Sequence, residues 1–300
     1  HMRDRSLISS LQAREDGPVL LGGWVEKLRD QKRIQFIILR DESGSAQVTY
    51  PRPVIDEQPD ENDALAAKVS TLTNGSFVWI KGRLVHDERV KLGGLEIQLD
   101  DVEIVTLADP ETPIADDTSI DKRMDWRFLD LRRPEMNLVF HIQTTIEATW
   151  RKYWVENGFV ELHTPKLMAS ASESNAELFK LEYFEGHAYL AQSPQFYKQM
   201  AMMSGLGRIF EIGPVFRADP SFTSRHATEF VSVDIEVSWI ESHEDVMAIQ
   251  EQLLHRAISA VKEKHGEEIQ KHFGIEVKVP SIPFPRVPLL EAIEIIKERG

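Results

Sequence analysis

The stretch RIFEIGPVFRADPSFTSRHATEFVSVDIEVSW, residues 208–239, decides how the larger part of this 300-residue chain is read. Two β-prone runs, 208–216 and 229–239, flank a polar loop, which is the pattern of a hairpin. On the outgoing run Asp234 and Glu236 stand two residues apart, so they share one face of the strand. Acidic groups on a mainly apolar strand are costly to bury alone, so they mark a solvated face or a site for a cation. Arg217 ends the incoming run, and Arg225 and His226 open the outgoing one. A guanidinium grips phosphate with two parallel donors, and Phe230 beside these cations offers an aromatic face to a base. Such a group suits a polyphosphate nucleotide with its metal. The plainer alternative is an exposed hairpin laced with salt bridges.

Upstream of the hairpin, residues 137–157 have helical apolar spacing through Leu138, Phe140, Ile142, Ile146, Trp150 and Trp154, with Asn157-Gly158 as a stop signal. A strand over 159–162 closes at Thr164-Pro165, a short strand follows at 188–191, and a helix over 194–204 starts at Pro194. Downstream, residues 244–265 and 289–299 read as helices. Residues 108–120, rich in Pro, Asp and Thr, form a linker. Before it the pattern is all short strands: 19–25 broken by glycines, 34–39, 46–50, 77–84, 95–99 and 102–107. Residues 55–63 read as a loop and 63–72 as one short helix. This suggests a small Greek-key barrel of the oligonucleotide-binding (OB) type, with a sandwich fragment as the alternative.

Composition narrows the chemistry. There are no cysteines, which excludes disulfides, thiolate metal sites and cysteine nucleophiles and fits a cytoplasmic protein. No apolar run approaches the roughly 20 residues of a membrane span. The net charge of −14 argues against wholesale electrostatic capture of nucleic acid. Local basic patches remain: Lys27, Arg29, Lys32 and Arg33, and then Lys122, Arg123, Arg127, Arg132 and Arg133, each of which is equally readable as a solvated face. His1-Met2 reads as an expression scar, and nothing after it resembles a signal peptide.

The hairpin resembles motif 2 of class II aminoacyl-tRNA synthetases: Phe-Arg-x-Glu, a loop, then Arg/His-x-x-Glu-Phe. Residues 138–165 resemble motif 1, a long helix and a strand ending in a proline, here Pro165. Ala191-Gln192-Ser193-Pro194-Gln195-Phe196-Tyr197-Lys198-Gln199 is similar to the aspartate-binding signature of the aspartyl-tRNA synthetases. Arg127-Phe128-Leu129-Asp130-Leu131-Arg132 resembles the lead-in to their catalytic domain. Gly23-Trp24-Val25 and Phe36-Ile37-Ile38-Leu39-Arg40-Asp41 resemble their anticodon-binding barrel. The motifs occur in order over nearly the whole chain, and no large insertion separates them, as in archaeal and eukaryotic members.

The resemblance implies an α+β protein. Residues 1–107 are an OB-fold anticodon-binding domain, 108–125 a linker, and 126–300 an incomplete class II catalytic domain on an antiparallel sheet with flanking helices. It implies an aspartate–tRNA ligase that uses ATP and Mg2+ to make aspartyl-adenylate and passes the aspartyl group to the 3′ end of tRNA for aspartate, with tRNA for asparagine as a second candidate. By this resemblance Arg217 holds the α-phosphate, Arg225 and His226 the β- and γ-phosphates, and Phe230 stacks on adenine, with Asp219 nearby. Lys198 pairs with the substrate's side-chain carboxylate, Ser193 and Gln195 position the substrate, and Asp234 lies near its amine. Glu173 lies in a loop that closes over the amino acid. In the barrel, Phe36 stacks on an anticodon base and Gln47 and Arg29 read or hold the anticodon. Phe36 as core filling is the alternative, since alternate strand residues point inward.

Three departures stand out. Asp219 replaces the usual Glu, Ser174-Asn175 replace a glycine pair, and motif 3 is missing, so the chain reads as truncated. The rival expectations are an asparagine–tRNA ligase, which would gain little from a buried Lys198, and a non-catalytic tRNA-binding paralogue, which the missing motif would suit. A homodimer through the motif 1 helix is expected, with Trp150 and Trp154 equally readable as core. No metal cluster is legible beyond Asp234 and Glu236.

Overall fold

The computed structural model describes residues 4–55, 57–115, 117–170, 178–220, 223 and 226–299. The chain divides into two compact units, His1–Trp126 and Arg127–Gly300.

In the first unit β1 (Gly17–Asp30), β2 (Ile34–Asp41) and β3 (Gly44–Pro51) form an antiparallel meander. A small ladder of β4 (Val54–Ile55) and β5 (Gln58–Pro59) follows, then α1 (Ala64–Ser70), β6 (Phe77–His86) and β7 (Leu95–Thr106). The five long strands close in the order β1-β2-β3-β7-β6, with β3 and β7 parallel, which is an OB barrel and not a sandwich.

Three details correct the reading of strands from sequence. Gly22 and Gly23 do not break β1; a Cβ on Gly23 would lie 2.4 Å from Arg40 O, so the glycine lets the strand cross β2 closely as the barrel turns. The runs 95–99 and 102–107 are one strand, because a register shift at Lys81/Gly82 absorbs the break between them. Residues 55–63 are not all loop, since they contain β5 and the end of β4. The barrel core is aliphatic, built on Leu21, Val25, Ile37, Leu39, Ile80, Leu84 and Ile97.

Asp63 caps α1 by accepting from Leu65 N–H, and its other oxygen accepts from Tyr50 Oη at 2.8 Å. Burial and this bond push the Tyr50 phenol up to about 12. The unfolded phenol ionises near pH 10, so this stabilising contribution is complete below pH 10 and is lost as pH rises through the folded value. Urea midpoints should therefore fall between about pH 10 and 12, and Tyr50→Phe should flatten that fall; a parallel fall in the variant would refute the assignment.

The second unit follows α2 (Ile120–Asp125) of the first. It contains α3 (Arg127–Asp130), α4 (Pro134–Glu156), β8 (Val160–Glu161), β9 (Leu167–Met168), β10 (Lys180–Tyr183), β11 (Gly186–Leu190) and α5 (Gln195–Met203). The hairpin is β12 (Arg208–Phe216) and β13 (Glu229–Val237), followed by α6 (His243–Phe273) and α7 (Leu289–Arg299). Pro194 proves to be the N-cap of α5 and not its first residue. Helix α6 runs eight residues past His265, because its heptad face keeps reaching α4 through Ile269.

The hairpin sheet is β13-β12-β8, antiparallel except for the parallel β12/β8 pair, and β10-β11-β9 is a second antiparallel sheet. One face of the hairpin is core: Trp154 is fully buried and stacks on Phe210 at 4.5 Å, with Phe159 and Ile212 beside them. The motif-1-like helix thus uses Trp154 for packing. Burying each such side chain contributes roughly 1.5–3 kcal/mol.

Candidate functional site

Strand parity builds the site. Phe210 and Ile212 face the core, so Glu211, Gly213, Val215 and Arg217 line the opposite face of β12. Antiparallel register sets Asp234 opposite Glu211, Ser232 opposite Gly213 and Phe230 opposite Val215. The acidic pair seen in the sequence therefore shares its face with Arg217 and Phe230.

Helix α5 brings Lys198 to this face. The lysine is only 6% exposed, yet its Nζ lies 3.0 Å from Asp234 Oδ1, 3.4 Å from Glu236 Oε2 and 3.4 Å from Ile235 O. A buried ammonium needs such partners. Ser232 Oγ donates to the other oxygen of Asp234 and holds that carboxylate's plane. At the helix start, buried Ser193 accepts from Gln195 N–H at 3.3 Å, so both stand at the mouth of α5.

At the far end of β12, Arg217 N–H donates to Thr228 O at 2.9 Å, and the guanidinium carbon lies 5.6 Å from the Phe230 ring centroid. Arg217 Nε is buried with no hydrogen-bond partner among the described residues. Buried donors are rarely left alone, so this group is a ready donor for an anion. Phe230 is 37% exposed, which leaves ring surface for a ligand. Asp219 stands partly exposed just beyond, and exposed His226 holds Thr223 Oγ1 at 2.6 Å through Nδ1. Arg225, Glu173 and the Ser174-Asn175 pair lie outside the described residues.

Among the described residues no three His, Asp or Glu side chains converge as a metal cage. Asp234 and Glu236 already face the Lys198 ammonium. This donor set does not fit a magnesium ion held by protein alone.

Sequence reasoning missed Glu211. Its carboxylate, on a residue 3% exposed, accepts from Thr164 N–H at 3.0 Å, Thr164 Oγ1 at 2.7 Å and Lys166 Nζ at 2.8 Å. The available signal was a lone acid inside the apolar run Ile209-Phe210-Glu211-Ile212.

The barrel carries a separate cleft of about 860 Å³ lined in part by Arg29, Phe36 and Gln47. Gln35, Ile37 and Leu39 are buried, so Phe36 and Ile38 point outward, which decides against core filling for Phe36. Arg29 pairs in register with Phe36, and Gln47 with Ile38. Lys27, Arg89 and Lys91 add positive charge in a chain that is acidic overall. Arg89 is held by Asp87 at 2.7 Å, and that bond holds the Asp87 carboxyl down to about 2. An outward-facing, half-buried aromatic beside cationic lining is the chemistry of single-stranded nucleic-acid binding.

Residues 119–299 match the family described as tRNA synthetases class II (D, K and N), and residues 19–105 match the OB-fold nucleic acid binding domain. The chain is 39% identical over 293 residues to the aspartate–tRNA(Asp/Asn) ligase of Methanopyrus kandleri, covering 96% of this chain and 66% of that protein. It is 38% identical to the aspartate–tRNA(Asp) ligase of Thermococcus kodakarensis, covering 94% and 64%. It is also similar to the solved asparaginyl-tRNA synthetase of Pyrococcus horikoshii complexed with asparaginyl-adenylate, with a TM-score of 0.90 and 30% identity over 100% of this chain and 68% of that one. The chain thus spans about two thirds of the length of the curated relatives it matches. Its OB barrel, its hairpin site and the match over most of the second unit together place the chain in the class II aminoacyl-tRNA synthetases of the D, K and N group.

Proposed function

We propose that the protein carrying this chain is an aspartate–tRNA ligase, which activates aspartate with ATP and transfers it to tRNA. The observation that carries the reading is the buried Lys198 ammonium on the nucleotide face of the hairpin. A substrate carboxylate repays the burial of that cation, whereas a neutral amide leaves a charge facing a dipole. Asp234 and Glu236 then lie where a substrate ammonium adds the positive charge that balances them. Ser193, Gln195 and Glu173 contact the amino acid. Arg217 takes the α-phosphate, Phe230 the adenine, and Arg225 and His226 the outer phosphates, with Asp219 nearby. ATP comes with Mg2+, for which these residues build no cage of their own. The protein's contribution is to align the attacking carboxylate with the α-phosphate and to stabilise the charge that develops there.

ATP–pyrophosphate exchange by the full-length protein tests this. Aspartate should exceed asparagine by at least about 100-fold, as expected of a site built around a charged partner. Exchange with asparagine alone would install the second reading, an asparagine–tRNA ligase, the kind of enzyme to which the similar Pyrococcus structure belongs. No exchange with either, while tRNA binding persists, would install a non-catalytic binder.

The barrel cleft is proposed to hold the anticodon of tRNA for aspartate, with Phe36 stacked on a base and Arg29 and Gln47 beside it. Phe36→Ala should weaken tRNA binding by about 1–3 kcal/mol without changing aspartate exchange. Filter binding of the tRNA transcript checks this, and unchanged affinity removes Phe36 from the interface. A cytoplasmic homodimer is proposed as the assembly, supported by exposed Val139 and Phe140 on α4.

A further inference from the structure

We infer that Glu211 and Lys166 are positioning residues for amino-acid activation, locking the 191–198 recognition segment and Arg217 into one geometry. The inference rests on the reading of the hairpin face as the activation site.

Glu211 sits on that face, in register with Asp234. All three donors to its carboxylate come from one short turn, Thr164 to Lys166. Lys166 Nζ also donates to Thr164 Oγ1 at 3.1 Å, so the turn and the carboxylate form a closed ring of bonds. Gly213 makes the space: a Cβ there would come 3.1 Å from Glu211 Oε1 and 3.5 Å from Lys166 Nζ.

A buried ion pair is poor value as stability alone, since well-packed apolar residues of similar volume often do as well or better. What this pair adds is position. From the turn the bonds run on: Ala191 N–H donates to Lys166 O at 2.9 Å, and Phe216 N–H donates to Ala191 O at 2.9 Å. Ala191 opens the segment that carries Ser193, Gln195 and Lys198, and Phe216 precedes Arg217. Glu211 and Phe216 belong to the same strand, so the circuit closes on itself. Aspartate-side and phosphate-side groups are thereby set from one anchor. Cutting the anchor lets the 191–198 segment shift against Arg217, and a displacement of about 1 Å can cost about 100-fold in rate.

The test uses the full-length protein with Lys166→Met, Glu211→Gln and Lys166→Arg. Exchange kinetics, thermal melting and deuterium uptake of the 188–200 region are measured for each. Lys166→Met should lower kcat per folded molecule about 100-fold while the KM for ATP changes less than about threefold. Melting should fall as well, because the buried Glu211 carboxylate loses its cation. Lys166→Arg, which keeps a charged donor, should recover most of the rate. Glu211→Gln, which keeps the shape but not the charge, should fall between them. Deuterium uptake around Ala191 should rise in Lys166→Met. A purely structural pair would lower melting in the same way but leave kcat per folded molecule unchanged, and that result overturns the inference. If the wild-type protein shows no aspartate-dependent exchange, the activity reading fails separately, and uptake at 188–200 then decides: unchanged uptake in Lys166→Met rejects the anchor, faster uptake retains it.

Discussion

Arg217→Ala should lower aspartate-dependent pyrophosphate exchange by about 10²–10³-fold while leaving the protein folded. The residue is fixed before any ligand arrives: its N–H is bonded to Thr228 O, and its guanidinium lies against Phe230. Its Nε is buried without a hydrogen-bond partner among the described residues. A donor held in this way needs no reorganisation when charge builds on a phosphate, which is why such groups supply large parts of a rate enhancement. Because Arg217 follows the last residue of β12 and does not pack in the Trp154 core, its loss removes little packing. Arg217→Lys keeps the charge but not the planar two-pronged donor, so it should restore only part of the rate. Exchange in Arg217→Ala within about threefold of wild type would take Arg217 out of the chemistry.

The second large effect is expected at Lys198. Lys198→Met should cost aspartate about 2–5 kcal/mol of kcat/KM, and asparagine much less, so that the preference between the two narrows or inverts. The same change leaves Asp234 and Glu236 facing each other without their shared cation, so melting should fall as well. These two consequences separate in the double variant Lys198→Met with Asp234→Asn. Removing one carboxylate should recover stability, and it should not recover aspartate activation. If aspartate kinetics return together with the melting temperature, Lys198 is a structural counter-ion and the specificity argument fails.

Much of this was local enough to read from residues. A period of two in 229–237 already put Asp234 and Glu236 on one face, and the 3.6-residue spacing before Asn157-Gly158 already defined the long helix and its end. The order of short strands before residue 108 already suggested a barrel. These features depend only on neighbours in the chain, because side-chain direction along a strand or helix is set by backbone geometry.

What a face meets is a different matter, and only tertiary structure decided it. Periodicity divides a strand into two faces without saying which is inside; burial of Gln35, Ile37 and Leu39 turned Phe36 outward. Parallel closure of β3 on β7 made the strands a barrel and not a sandwich, through pairs such as Val48 with Ile97. The lysine that neutralises Asp234 comes from a helix 36 residues earlier, and the partners of Glu211 come from 45 and 47 residues away. The sequence by itself therefore determined which groups share a surface. The fold determined which charges oppose one another across it, because a buried charge is tolerated only where the whole chain path delivers a partner within hydrogen-bond reach.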